Sequence, residues 1–251
     1  LLEIRHGLTA IIGGGGKTTL LFKLGRQLAA SGAAVLLTTT THLAWPPPAD
    51  VAVCAPSAPE ELAAAARPGA LVLAGYPAES EKMVGLSPEF LVAARRSFGH
   101  VLCEADGSRR LPLKWHRADE PCIPAGTDLL IQVAGLSALD RPAAEVLNRY
   151  ELSGLPPAHR VAEEDIVRLM LRAFAHCGVS CPAVALLNQA DTPQLCARGE
   201  AIARTLRAKG YPAAAGMLRE DMIGCWFEYA AQGTLQQAWR CGCTVAAFPS
   251  C

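Results

Sequence analysis

Six consecutive residues, Gly13-Gly14-Gly15-Gly16-Lys17-Thr18, combine what a phosphate site needs. Glycines let the backbone turn tightly and aim successive N–H groups at one anion. A lysine adds a point charge, and a threonine hydroxyl is a ligand for Mg²⁺. An apolar run precedes the glycines at Leu8 to Ile12, and a helical stripe of Leu20, Leu21, Leu24 and Leu28 follows them. The glycines therefore fall between a strand and a helix N-terminus, where the helix contributes its partial positive charge. The spacing predicts that Gly13, Gly14, Gly15, Gly16, Lys17, Thr18 and Thr19 bind a nucleoside triphosphate, ATP or GTP, with Mg²⁺. The longer phosphate-loop pattern would require glycine at position 11, where Ile11 stands, so the loop is a shortened form.

A second run with chemical potential is Glu104-Ala105-Asp106-Gly107, directly after the apolar stretch 100–103. Residues two apart on a strand share a face, so Glu104 and Asp106 can both point toward the phosphates. Carboxylates placed there hold Mg²⁺ directly or through water; which of the two does so is not decided by spacing. Asp106-Gly107 also resembles the Asp–Gly element that senses the terminal phosphate in GTPases. An acidic turn is the competing reading.

Three further segments follow predicted strands. Asn188-Gln189-Ala190-Asp191 is similar to the N-K-x-D motif that reads guanine, with Asn188 and Asp191 as base contacts and Gln189 in place of Lys. The same residues suit a turn into a helix capped at Asp191 or Thr192. Thr38-Thr39-Thr40-Thr41 could offer hydroxyls to a phosphate or to magnesium, or could simply finish a strand. The segment 106–124 carries Arg109-Arg110-Leu111-Pro112-Leu113-Lys114, then His116, Asp119 and Glu120-Pro121. Cations beside a phosphate neutralise charge during phosphoryl transfer, and a long irregular segment in a compact domain is usually functional. Lys114 and Glu120 are preferred here over His116, joining Lys17, Glu104 and Asp106 as candidate catalytic residues.

These runs need a scaffold, and the apolar pattern supplies one. Strands are expected near 8–12, 34–37, 51–54, 70–74, 100–103, 128–134 and 183–187. Helices are expected at 17–30, 59–67, 88–97, 141–150, 163–176 and 192–209. Strands alternating with helices mean a mostly parallel sheet with right-handed crossovers, flanked by helices. Ligands of such sheets gather at the carboxyl ends of the strands, where all these motifs lie. The fold class is therefore α/β and P-loop NTPase-like, with a nucleotide-binding domain over 1–218. Residues 219–251 are expected as a C-terminal extension packed on it.

Composition agrees. Apolar residues make up 51% of the 251, aromatics only 6%, and Lys+Arg and Asp+Glu both total 23. A neutral chain has no general electrostatic reason to bind nucleic acid or an anionic membrane. No stretch approaches the roughly 18 unbroken apolar residues of a membrane span, and no leader pattern opens the chain. A cytoplasmic location is expected. Of the ten cysteines, only Cys241, Cys243 and Cys251 cluster, without the paired spacing of a structural zinc site, and they read as ordinary thiols.

At these residues the sequence resembles the YqeC family, described as accessory proteins for selenium-dependent molybdenum hydroxylases. The matching stretches are Ile12 to Leu21, Thr38 to Thr41, Glu104 to Ser108, Leu111 to Lys114, Glu120-Pro121-Cys122-Ile123-Pro124, Asn148-Arg149 and Asn188 to Asp191. Gln189 and Cys122 depart from the family pattern. The resemblance implies a P-loop nucleotide-binding protein tied to maturation of a molybdenum hydroxylase, with that enzyme or its cofactor-maturation proteins as partners. The shortened loop also resembles that of Mur-type ligases. An ATP-dependent small-molecule kinase or ligase, and a non-catalytic nucleotide-sensing module, are the competing expectations.

Overall fold

In a computed structural model, residues 4, 6–178 and 180–218 are described. The expected extension at 219–251, with Cys241, Cys243 and Cys251, lies outside them.

The chain opens with β1 (Gly7–Gly13), which runs through the glycine loop into α1 (Lys17–Ala30), then β2 (Val35–Thr39) and β3 (His42–Ala44). Next come β4 (Ala52–Cys54), α2 (Pro59–Ala65), β5 (Leu71–Ala74), β6 (Tyr76–Ala78), β7 (Lys82–Val84), α3 (Pro88–Ser97) and β8 (His100–Glu104). The remainder is β9 (Leu113–Lys114), β10 (Leu129–Gly135), α4 (Ala143–Val146), β11 (Leu147–Asn148), α5 (Glu163–Cys177), β12 (Ala183–Asn188), α6 (Pro193–Ala208) and β13 (Ala213–Ala215).

Eight strands form one parallel sheet in the order β13-β12-β10-β1-β8-β2-β5-β4. Alternation along each strand feeds both faces. Ile11, Ile131 and Leu102 point to the α1 side, where Leu20, Leu21 and Leu24 cover them. Ile12, Leu130 and Ala134 point to the other side, beneath Ile166 and Met170 of α5 and Ile202 and Leu206 of α6. On that side, α2 and α3 cover Leu36 and Val101 with Leu62, Leu91 and Ala94. The architecture is the expected α/β one, consistent with a P-loop NTPase-like fold. No helix among the described residues is long and apolar enough to cross a membrane.

The order places β1 between β10 and β8. The chain first builds outward on the β8 side and later returns across β1 to lay down β10. Where successive crossovers diverge, a crevice opens at the carboxyl ends of the strands. The loop after β1 sits in that crevice.

Three expectations are corrected. The helix expected at 141–150 is confined to Ala143–Val146. Leu147 and Asn148 instead pair with Leu113 and Lys114, and Arg149 turns left-handed at φ 64°. The segment 106–124 is not wholly irregular, since β9 lies within it. Finally, β3, β7 and β6 form a separate antiparallel sheet that the sequence reading missed, as it missed β13.

Candidate functional site

The phosphate loop is shaped by its neighbours. At Gly13 φ is 100° and a Cβ would meet the Val133 carbonyl oxygen at 2.1 Å; at Gly15 φ is 75° and a Cβ would meet Gly135 Cα at 2.5 Å. Both positions demand glycine. The loop is pinned by Gly14 N–H donating to Val133 O at 2.9 Å and Gly15 N–H to Leu111 O at 3.1 Å. The helices α3 and α6 are capped by the Ser87 and Thr192 side chains. Helix α1 has no side-chain cap at Gly16 and no acidic residue in its first turn. Its leading N–H groups are thus left for an anion.

Lys17 is 4% exposed. Its Nζ donates to Gly13 O at 2.7 Å and to Ser108 Oγ at 3.3 Å, and lies 3.1 Å from Asp106 Oδ1 and 3.7 Å from Glu104 Oε1. The half-buried Thr18 donates its hydroxyl to Glu104 Oε2 at 2.7 Å. Asp106 Oδ2 accepts the Gly13 N–H at 2.9 Å. One ammonium therefore faces two buried carboxylates. Burial lifts the Glu104 carboxyl above its ordinary range, against the pull of Lys17 and the Thr18 hydroxyl. Burial also raises Asp106, but Lys17, His116 and the Gly13 N–H outweigh it and hold that carboxyl below its usual value.

His116 is the residue the sequence reading undervalued. Its Nε2 lies 2.6 Å from Asp106 Oδ2, and the ring is 1% exposed. Its Nδ1 is buried with no hydrogen-bond partner. A lone histidine in a proline-rich stretch has no periodic signature, so nothing in the sequence marks it. Ser108 was likewise unmarked as a Lys17 partner. Lys114 and Glu120, the preferred pair, do meet: Lys114 Nζ lies 3.0 Å from Glu120 Oε2 and donates to Gly107 O at 2.7 Å. Arg149 Nη2 holds the other Glu120 oxygen at 3.0 Å. Burial raises the Glu120 carboxyl, and the Lys114 and Arg149 cations bring it below its ordinary value. This network braces the segment after Asp106 through Gly107.

At the carboxyl end of β12, the Asn188 amide donates to Gly15 O at 2.6 Å, and its Oδ1 accepts the Leu218 N–H at 2.9 Å. The side chain thus ties the glycine loop to the chain after β13. Asp191 is exposed. Gln189 accepts from Ser137 Oγ at 2.6 Å, and Thr192 caps α6. The threonine run turns inward. Thr38 donates to Ala74 O at 2.9 Å, Thr39 to Glu104 O at 2.8 Å and Thr40 to Cys122 O at 2.7 Å. These hydroxyl protons serve the frame. Thr19 is half-buried in the first turn of α1.

The donor set suits a magnesium ion. Thr18 and Glu104 present hard oxygens side by side, and the buried Asp106 Oδ1 faces the Lys17 ammonium. Magnesium takes one or two carboxylates plus substrate phosphates and water. Among the described residues no group of three or more His, Cys, Asp or Glu side chains is arranged to hold a metal by itself.

The sequence model of the YqeC protein family matches residues 9–151, more than half of the chain. The chain belongs to this family. One relative, the uncharacterized protein YqeC of Escherichia coli (strain K12), is 34% identical over 124 residues, covering 45% of this chain and 48% of the relative. The chain spans about half the length of that relative. The family match includes the glycine loop, the acidic strand end, His116 and the Lys114–Glu120–Arg149 network, and ends before Asn188.

Proposed function

We propose that this YqeC-family chain binds a nucleoside triphosphate, ATP or GTP, together with Mg²⁺ and hydrolyses it to assist maturation of a selenium-dependent molybdenum hydroxylase. The observation that carries the nucleotide reading is the uncapped start of α1 behind a glycine loop, with Lys17 and the Thr18–Glu104 pair at its mouth. The maturation role rests on the family resemblance, with the hydroxylase or its cofactor-maturation proteins as partners.

Without a nucleotide, Lys17 is satisfied by Gly13 O, Ser108 and Asp106. A β/γ-phosphate draws it outward, because an anion at a helix N-terminus offers a stronger partner than a shared carboxylate. That exchange frees Asp106 Oδ1, while Oδ2 stays fixed by Gly13 N–H and His116. Asp106 is then a carboxylate of set orientation that can accept a hydrogen bond from an attacking water. Thr18 and Glu104, with Asp106 through water, would hold Mg²⁺, whose charge offsets that of the phosphates. Lys114 and Glu120 act by positioning the strap that begins at Gly107. Asn188 holds Gly15, and Asp191 would contact the base.

A second reading, an ATP-dependent kinase or ligase, is favoured by the shortened loop. Titration of ATP and GTP with and without Mg²⁺, using wild type and Lys17→Ala, tests the proposal. Lys17→Ala is expected to weaken binding by about 100-fold, equivalent to roughly 2.7 kcal/mol. If neither nucleotide binds at millimolar concentration, the proposal is wrong. Turnover with nucleotide alone supports hydrolysis, and turnover only with a second substrate supports the kinase or ligase. Saturable binding without turnover supports a sensing module.

A further inference from the structure

The strap between the acidic strand end and β9 contains a turn of unusual composition. Leu111 N–H donates to Ser108 O at 2.9 Å, closing a four-residue turn whose central residues are Arg109 at φ 52° and Arg110 at φ 64°. Two positive φ values with this bond are the pattern of a type I′ turn, which selects Asn-Gly or Asp-Gly. An arginine in the left-handed region incurs a steric cost that asparagine and glycine largely avoid.

The turn is held over the phosphate loop from both ends. Ser108, before it, touches Lys17 Nζ at 3.3 Å, and Leu111, after it, accepts the Gly15 N–H at 3.1 Å. Pro112 O accepts the Gly135 N–H at 2.8 Å, and Lys114 anchors Gly107 O at 2.7 Å. The backbone of the two arginines is therefore held beside the loop, and both residues are exposed. Nearby cations are engaged: Arg117 with Asp119, Arg149 with Glu120, Arg172 over the Trp115 ring. Among the described residues, Arg109 and Arg110 take no hydrogen bond or ion pair.

We propose that Arg109 and Arg110 form a clamp for the terminal phosphate, so that the site distinguishes a nucleoside triphosphate from its diphosphate. Lys17 starts out paired with two carboxylates, and Mg²⁺ would share its charge with Glu104, so a γ-phosphate calls for further cations. A guanidinium fork matches the oxygens of a terminal phosphoryl group, and the turn fixes the backbone from which it reaches. The strained turn is kept because arginine, unlike Asn-Gly, carries that fork. This inference rests on the nucleotide reading above and names which part of the nucleotide the strap recognises.

The test substitutes the turn's preferred residues, Arg109→Asn with Arg110→Gly, in the full chain. ATP, ADP, GTP and GDP are then titrated with Mg²⁺ by calorimetry, alongside thermal melting. Triphosphate affinity is expected to fall about tenfold or more, diphosphate affinity to change less than about threefold, and the melting midpoint to hold or rise. A merely structural turn would lose nothing on receiving better turn formers. A triphosphate-to-diphosphate affinity ratio within about twofold of wild type overturns the clamp while leaving nucleotide binding standing. A wild type that binds no nucleotide overturns both. Should the Asn-Gly variant fail to fold, Arg109→Gln with Arg110→Gln keeps side-chain length without charge and is judged by the same ratio.

Discussion

The strands β2 and β8 lie side by side, with Thr39 and Glu104 as register partners, and both reach the same edge of the sheet carrying polar residues. They end differently. The hydroxyls of Thr38, Thr39 and Thr40 donate to the carbonyls of Ala74, Glu104 and Cys122. The carboxylates of Glu104 and Asp106 turn to Lys17, Thr18, His116 and the Gly13 N–H. A hydroxyl carries its own donor and can be absorbed by any carbonyl an irregular backbone leaves open. A carboxylate can only accept, so it must find an N–H, a hydroxyl or a cation. Polar strand ends in one sheet therefore separate by donor capacity: one braces the edge, the other lines the candidate site.

The contrast can be broken by substitution. The largest effect is expected at Glu104→Gln, with Mg²⁺-dependent nucleotide affinity weakened by about 100-fold in the same titration, roughly 2.7 kcal/mol. The unliganded protein should be no less stable at neutral pH, because burial raises the Glu104 carboxyl and thus disfavours its ionised form. Next is Glu120→Gln, in the network that braces the strap. It replaces the carboxylate facing the buried Lys114 ammonium with a neutral amide, at a cost of about 2 kcal/mol near neutral pH. Glu120 has a depressed pKa, so its contribution is present above the ordinary glutamate range and is lost as pH falls through the lower folded value. Denaturation from about pH 7 to pH 3 should show the two proteins converging at the acid end. The smallest effect is expected at Thr39→Val, with about 1 kcal/mol of stability lost in denaturant melts and nucleotide affinity unchanged within about twofold. If Thr39→Val instead weakened nucleotide binding as Glu104→Gln does, the assignment of β2 to the frame would fall.

What the sequence made legible follows from how far each signal depends on the rest of the chain. Helix α1 begins at Lys17 and ends at Ala30 as read, because a leucine stripe between Gly16 and Gly32 is a local signal. Helix α3 starts on Ser87-Pro88, again a local cap. Residues 141–150 read as a helix but yield to a tertiary demand, since Asn148 O accepts the Trp115 N–H and β11 must pair with β9. The three-residue β6, with Pro77 in its middle, is too short for alternation to register. In β13 three alanines carry little strand preference, and their place is fixed by pairing with β12. Within the site, Lys17, Thr18, Glu104 and Asp106 were legible because they flank strong elements. His116 was not, because its partner lies ten residues away around an irregular path.

The crowding around the glycine loop has a consequence for reading relatives. Gly14 lies against the Leu111 and Pro112 carbonyls, Gly13 against Val133 and Gly15 against Gly135, so main chain fills the space a Cβ would take at each of the three. Those walls belong to the sheet and the strap, not to a ligand. A relative that bound no nucleotide at all would still need glycine at these places to fold. The glycine run is thus a signature of the architecture. The residue to inspect, when asking whether a homologue still handles phosphate, is the one at position 17.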